Sequence, residues 1–179
     1  MKRVTLGDKT FELSIPESEI LKAIQKCADR ISVDYADKNP MFIIVLNGAF
    51  IFAADLLRKI SIPCQIAFTK ISSYQGTAST ENVTEHLPVT EDLSGRHIVI
   101  IEDIVESGYS MQYLTQRLKE GNPASIKICA LFHKPQSNKV PGLTVKYAGM
   151  ILPDAFIVGY GLDYNDMGRS LKDIYSLVE

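Results

Sequence analysis

The sequence has no apolar run that approaches the ~20 residues needed to span a membrane. Its beginning, Met1 to Asp8, mixes charged, polar and apolar residues and lacks the apolar stretch of a secretory signal. We therefore expect a protein without a membrane partner, located in the cytoplasm.

The sequence also has few cysteines and a small net charge. The three cysteines, Cys27, Cys64 and Cys129, form no CxxC pair or Cys/His cluster that would indicate zinc. Their odd number argues against a disulfide framework, so we interpret them as reduced core residues. The net charge of −2 leaves no broad basic surface, which argues against a nucleic acid partner.

The remaining composition is that of an ordinary globular protein. Its 179 residues, 46% of them apolar and 22% charged, suit one domain spanning residues 1–179. Apolar segments typical of buried strands alternate with helical patterns, which predicts an α/β fold with a mostly parallel sheet. Ligands of such sheets bind beyond the carboxyl ends of the strands.

The periodicity also predicts individual elements. Three helices are predicted: the first follows Pro16 and Glu17, the second covers residues 49–60 and the third ends at Gly121, and the first and third each have one apolar face. The predicted strands cover residues 41–46, 65–70, 97–101, 126–131, 145–151 and 156–160.

The stretch from Ile71 to Gly95 is rich in Ser, Thr, Gly and Glu and has little sustained apolar periodicity. Long polar loops inside a compact domain are often lids or binding loops, so we predict a lid here. The alternative is a solvated hairpin without a functional role.

Residues 98–110 carry the strongest chemical signal. An apolar strand runs into two carboxylates, Glu102 and Asp103, and a loop with Ser107 and Gly108 then leads into a helix. Backbone N–H groups of such a loop, together with serine hydroxyls, form a cradle for phosphate. Carboxylates beside the core need a cation or ligand hydroxyls, because unpaired buried charges are costly. An ordinary strand-to-helix turn explains this segment equally well.

Five segments together resemble the hypoxanthine-guanine phosphoribosyltransferases of the type I phosphoribosyltransferase family. Residues 98–110 are similar to the family's phosphoribosyl pyrophosphate motif, and PDAFIVGYGLDYN at 153–165 is similar to its purine-binding segment. The others are VLNGAF at 45–50, SSY at 72–74 and LFHKP at 131–135, all in the family's order. The resemblance implies the type I fold, a single domain with flanking helices and a mobile lid.

The implied activity is transfer of ribose 5-phosphate from phosphoribosyl pyrophosphate to N9 of a 6-oxopurine, in purine salvage. The carboxylate of Glu106 would be the catalytic base, and Glu102 and Asp103 would hold the ribose hydroxyls. The 5-phosphate would lie among residues 106–110, which are Glu106, Ser107, Gly108, Tyr109 and Ser110.

The remaining implied roles concern pyrophosphate, the purine and the metal. Pyrophosphate would contact Leu46, Asn47, Gly48 and Arg169. The purine would receive a hydrogen bond from Lys134 at its 6-oxygen, stack on Phe156 and lie beside Ile157 and Asp163. The cofactor would be magnesium, held by Glu102, Asp103 and Asp163, and Ser73 and Tyr74 would begin the lid. The family likeness also favours a homodimer or homotetramer.

The sequence departs from the family at several positions. Glu106 stands where the family has aspartate, and Asn47 stands where many members have lysine. Tyr109 is bulky beside the phosphate loop. Lys134 taken alone is more simply explained as a solvated lysine, since most lysines are exposed.

Two other functions fit the same sequence. One is a transferase that prefers xanthine or another oxopurine. The other is a regulatory protein that uses the same fold to sense nucleotides, which the departures at Glu106 and Asn47 would suit. An intact purine segment and the absence of a basic cluster argue against the regulator.

Overall fold

The part of the chain described by the computed structural model contains ten strands, three α-helices and one short 3-10 helix, Pro135–Ser137. That part is residues 2–75 and 78–178, and for residues 73–75 and 78–82 it is the backbone alone. The elements are β1 (Arg3–Leu6), β2 (Lys9–Ile15), α1 (Glu17–Asp34), β3 (Met41–Leu46), α2 (Phe50–Leu57), β4 (Gln65–Gln75), β5 (Ala78–Leu87), β6 (His97–Val105), α3 (Tyr109–Lys119), β7 (Ser125–His133), β8 (Tyr147–Ile151), β9 (Ile157–Val158) and β10 (Ile174–Val178).

The larger sheet has six strands in the order β5-β4-β3-β6-β7-β8, and only the edge strand β5 runs antiparallel to its neighbour. The predicted α/β class with a mostly parallel sheet is confirmed. The central strand β3 is apolar throughout because both of its faces are covered. Phe42 and Ile44 pack on the side of α1 and α2, whereas Ile43 and Val45 pack on the side of α3.

The predicted helices are confirmed, with different ends for two of them. Helix α1 starts directly after Pro16, whose φ of −75° suits a residue at a helix start, and it buries Ile20, Ile24, Cys27 and Ile31. Helix α2 is shorter than the predicted 49–60, and α3 ends two residues before Gly121. Within the described ranges, no helix is long and apolar enough to cross a membrane.

The predicted long loop from Ile71 to Gly95 is wrong. Strand β4 continues to Gln75 and pairs antiparallel with β5, so that Ile71 lies opposite Glu85 and Ser72 opposite Thr84. The hairpin alternative describes this backbone correctly. Its residues are polar because much of it faces solvent, while Val83 packs against the core beside α3. Strand β6 likewise extends past residue 101 to Val105, so the two carboxylates lie within the strand.

A second sheet was not predicted. It is antiparallel, has the order β1-β2-β10-β9 and surrounds a small core of Phe11, Val158 and Tyr175. The predicted strand over 156–160 contributes only Ile157–Val158 to it. Strands β2 and β10 lie at opposite ends of the chain, so their pairing depends on contacts that local periodicity does not reveal.

The carboxylate of Asp173 connects this second sheet to helix α1. Its Oδ1 accepts a hydrogen bond of 2.9 Å from the Glu17 backbone N–H at the helix start, and its Oδ2 accepts one of 2.8 Å from Lys2 Nζ. The hydrogen bond from Lys2, followed by that from Glu17, holds the pKa of Asp173 below its ordinary value. Asp173 thus caps a helix that lies elsewhere in the chain.

We predict that Asp173→Asn lowers the free energy of unfolding by about 1 kcal/mol at neutral pH, because the neutral amide can still accept from the Glu17 N–H but loses the charge-assisted hydrogen bond from Lys2. A carboxyl with a lowered folded-state pKa stabilises the fold above its unfolded-state pKa, and this stabilisation disappears as the pH falls through the folded-state pKa. The difference in free energy of unfolding between the parent and Asp173→Asn should therefore become smaller at acid pH. Urea unfolding from pH 7 to pH 3 measures it, with Asp37→Asn in the exposed turn after α1 as the control. A gap that is independent of pH would contradict this account.

Candidate active site

A cavity of about 480 Å³ lies beyond the carboxyl ends of β3, β6 and β7. The polypeptide after each of these strands lines it, together with residues 156–169. The predicted site residues line this cavity with the exception of Tyr109 and the lid residues. The side chains of Ser73 and Tyr74 lie outside the described residues.

The turn after β3 packs directly against the carboxylate on β6. Leu46, Asn47 and Gly48 line the cavity, and the Leu46–Asn47 peptide bond is cis. A Cβ on Gly48 would lie 1.7 Å from Oδ2 of Asp103, and one on Gly161 would lie 2.0 Å from the carbonyl oxygen of Gly48. Because neither position has room for a side chain, three distant segments of the chain can meet at the cavity.

Glu102 and Asp103 are adjacent carboxylates in a largely buried position. Burial raises the pKa of both, and the neighbouring charge of Asp103 raises that of Glu102 further. Oδ1 of Asp103 accepts a hydrogen bond of 2.7 Å from the Ile104 N–H, and Oε1 of Glu102 accepts one of 3.1 Å from the Asp103 N–H. Buried carboxylates with raised pKa values favour a nearby cation or hydroxyl donors.

A divalent cation fits this pair of carboxylates only in part. Among the described residues, no three His, Cys, Asp or Glu side chains form a group that could hold a metal. Magnesium is commonly bound by one or two carboxylates, with substrate phosphates and water completing its six positions. Glu102 and Asp103 therefore suit an ion that arrives with an anionic substrate.

The loop after β6 forms an anion cradle at the start of α3. Gly108 has φ of +87°, and a Cβ there would lie 2.6 Å from Leu143 Cδ2, so the tight turn requires glycine. Ser107, Gly108 and Ser110 line the cavity beside the first N–H groups of α3, whereas Tyr109 lies outside the lining. This arrangement is suited to phosphate.

Lys134 is a buried ammonium group at the end of β7. The residue is only 3% exposed, so the solvated position is wrong. Its Nζ donates hydrogen bonds to Oε1 of Glu106 and, at 2.7 Å, to the carbonyl oxygen of Ala155, with Asp154 Oδ1 at 3.8 Å. These oxygens compensate the cost of burying the charge. The structure thus joins the two side chains that were predicted as catalytic base and purine donor.

Residues 156–169 form the opposite wall of the cavity. Phe156 is 42% exposed, which leaves an apolar ring face for a planar ligand, and Ile157 is buried beside it. The Arg169 guanidinium forms a 2.6 Å salt bridge with Asp163 Oδ1 and donates a 2.8 Å hydrogen bond to the Gly161 carbonyl oxygen. Asp163 and Arg169, predicted in separate roles, are therefore ion-paired in this structure.

Sequence reasoning missed two parts of the site. Tyr164 lines the cavity, and its ring stands at 90° to that of Phe156 with centroids 6.0 Å apart. The backbone oxygen of Ala155 is a partner of Lys134. Tyr164 is four positions beyond the predicted end of the last strand, and only its place in the purine-like segment could have indicated it.

The chain matches a family model described as a phosphoribosyl transferase domain over residues 16–165. It is 35% identical over 179 residues to the hypoxanthine-guanine-xanthine phosphoribosyltransferase of Tritrichomonas foetus. That alignment covers 100% of this chain and 98% of the relative. It is 36% identical over 166 residues to the hypoxanthine-guanine phosphoribosyltransferase of Streptococcus pneumoniae, covering 92% of each. The crystal structure of a hypoxanthine-guanine phosphoribosyltransferase from Bacillus anthracis superposes with a TM-score of 0.87 at 34% identity, covering 93% of this chain and 98% of that one.

We predict that Glu102→Gln stabilises the protein in metal-free buffer at neutral pH. A carboxyl whose folded-state pKa is raised opposes folding once the pH exceeds its unfolded-state value of about 4.5. The variant should therefore gain stability relative to the parent as the pH rises above that value, and the two should be alike at lower pH. Thermal unfolding across this range measures the gain, and Glu91→Gln at an exposed site is the control. A less stable variant at pH 7 would contradict the burial argument.

Proposed function

The chain belongs to the phosphoribosyltransferase family, and from that membership we propose that it acts on hypoxanthine and guanine. The enzyme transfers the ribose 5-phosphate of phosphoribosyl pyrophosphate to N9 of the base, and the products are IMP or GMP and pyrophosphate. The relatives named above share this activity by name and match almost the whole chain. The reaction is a step of purine salvage.

The observation that carries this proposal is the buried ammonium of Lys134 beside the exposed ring of Phe156. A 6-oxopurine stacked on Phe156 presents a carbonyl oxygen to which a charged donor can bond. Adenine presents an amino group at the same position, which would leave the buried ammonium facing another donor. Sites built around a hydrogen bond discriminate strongly against ligands that cannot make it.

The proposed sugar-phosphate site uses the other half of the cavity. The 5-phosphate occupies the cradle of residues 106–110, and the ribose hydroxyls lie at Glu102 and Asp103. Leu46, Asn47 and Gly48 contact pyrophosphate, and Arg169 reaches it from the opposite wall. Both buried carboxylates, with Asp163 as a third candidate, would hold magnesium. When bound, magnesium stabilises the negative charge of the leaving pyrophosphate.

The proposed reaction breaks the bond between ribose C1 and pyrophosphate and forms one between C1 and N9. Positive charge develops on the sugar, and the bond electrons leave with the pyrophosphate oxygen. Glu106 accepts the proton from N7 of the purine, and Lys134 bonds to the 6-oxygen. The guanidinium of Arg169 adds positive charge beside the leaving group. The lid residues Ser73 and Tyr74 would exclude water that otherwise captures the sugar cation.

The alternatives differ in substrate or in turnover. Use of xanthine is favoured by one observation, that the Tritrichomonas foetus relative is named for all three oxopurines. A regulatory protein would bind nucleotide with negligible turnover. Assembly into a homodimer or homotetramer and a cytoplasmic location stay predictions.

The proposed function is tested by supplying hypoxanthine, guanine, xanthine and adenine with phosphoribosyl pyrophosphate and magnesium, and measuring nucleotide formation. We expect turnover of the first two bases and none of adenine. Lys134→Ala should lower kcat/KM for hypoxanthine about 10- to 150-fold, because losing a charged donor costs ~1.5–3 kcal/mol. Lys127→Ala, an exposed lysine on the same strand β7, is the matched control and should change little.

Two results would refute this assignment. If Lys134→Ala uses hypoxanthine as well as the parent does, the base site has been placed wrongly. If excess chelator leaves turnover undiminished, the role of magnesium at Glu102 and Asp103 is wrong.

For Glu106 we predict that replacing the carboxylate by an amide lowers kcat by roughly 10²-fold or more, as expected for loss of a general base. Glu106→Asp keeps the carboxylate and should retain much more activity than Glu106→Gln. Single-turnover rates at saturating substrate separate the chemical step from product release. Thermal unfolding of each variant checks the structural effect of breaking the ion pair with Lys134. Equal rates for the parent and Glu106→Gln would remove Glu106 as the base.

A further inference from the structure

The hairpin of β1 and β2 contacts the wall of the cavity that carries Phe156. The ring of Phe11 on β2 is fully buried, and its centroid lies 6.2 Å from that of Phe156 and 6.0 Å from that of Tyr164. Phe156 and Tyr164 in turn meet edge to face. The three rings form one aromatic cluster, of which Phe156 and Tyr164 line the cavity and Phe11 does not.

The turn of the same hairpin holds Tyr164 by its hydroxyl. The hydroxyl donates a 2.8 Å hydrogen bond to Oδ1 of Asp8, and Lys9 Nζ lies 5.8 Å from the ring centroid. Gly7 also lies beside the ring, since a Cβ there would be in ordinary van der Waals contact with Tyr164 Cε1 at 3.7 Å. Tyr164 is thus held at its hydroxyl by the turn and along its ring by Phe11 and Phe156.

These contacts restrict the orientation of Phe156. Its ring is 42% exposed on the cavity side, so packing against the ligand alone would leave it several rotamers. Its edge-to-face contact with Tyr164 and its tilted contact with Phe11 favour one orientation. A stacking surface that is already oriented binds a planar ligand without the entropic cost of ordering it.

We propose that the β1–β2 hairpin positions the purine-stacking ring, with two positioning residues: Asp8, which acts through Tyr164, and Phe11, which contacts both Tyr164 and Phe156. This inference rests on the proposed function, because it needs a planar base on Phe156. The hairpin belongs to the second sheet and contributes no residue to the cavity lining, so its effect on catalysis is confined to the base half of the site.

A purely structural role of the hairpin predicts a different kinetic result. Loosening the second sheet would lower stability and affect all kinetic constants together. A positioning role affects binding of the base and spares phosphoribosyl pyrophosphate, whose proposed cradle is built on the loop after β6 and the start of α3. The KM values for the two substrates therefore separate the roles.

The test uses Tyr164→Phe, which removes the hydroxyl alone, and Asp8→Ala, which removes its acceptor. Each should raise KM for hypoxanthine about two- to fivefold, a modest effect because the bond is exposed. KM for phosphoribosyl pyrophosphate and kcat should stay within about twofold of the parent. The double variant should equal either single one, since both remove the same bond.

Two further variants serve as a second test and as a control. Phe11→Leu keeps an apolar side chain but removes the ring, and it should also raise KM for hypoxanthine selectively. Arg3→Gln breaks the 3.2 Å salt bridge to Glu12 in the same hairpin without touching Tyr164, and it should leave both KM values unchanged.

Unchanged KM for hypoxanthine in Tyr164→Phe and Asp8→Ala would overturn the inference, and so would parallel changes in all constants. Failure of the proposed function is recognised separately, because the parent would then form no nucleotide from any base. That outcome would overturn the positioning role as well.

Discussion

The site depends on two glycines, Gly48 and Gly161, at positions where the neighbouring atoms leave no space for a side chain. Gly48 lies against the Asp103 carboxylate, and Gly161 lies against the backbone of Gly48. Through these two glycines the turn after β3, the carboxylate strand β6 and the purine-like segment approach each other more closely than larger residues allow. The cavity exists because parallel strands end at one edge of the sheet and these segments close around that edge.

The charged side chains of the cavity differ in whether they have a partner of opposite charge. Lys134 and Glu106 neutralise each other, as do Arg169 and Asp163. Burial raises the pKa of both Glu102 and Asp103, and the charge of Asp103 raises that of Glu102 further. Two ion pairs therefore lie beside two buried carboxylates that form no salt bridge within the described residues, and the charge of Arg169 only partly offsets the effect of burial on the pKa of Asp103. That is the arrangement expected of a protein that lowers its own stability to provide a site for a cation and a polyanionic substrate.

The second sheet links the fold to the base half of the site. It supplies the antiparallel support for Ile157 and carries Phe11 under the aromatic cluster. Asp173 then connects this sheet to the start of α1, the helix that packs against the larger sheet. Half of the cavity is consequently supported by strands from the two ends of the chain.

The sequence by itself determined the elements whose signal is local. Strand β3 has the predicted bounds, because a strand covered on both faces must be apolar at every position. The segments with Glu102, Asp103, Lys134 and Phe156 were also found, because their order resembles one family. Only the tertiary structure decided the features that depend on which segments of the chain meet. It buried Lys134 against Glu106, paired Asp163 with Arg169, and formed the β4–β5 hairpin and the second sheet. Hydrogen bonds between strands and ion pairs between side chains depend on how the chain folds back on itself, and periodicity within one segment carries no record of its partner.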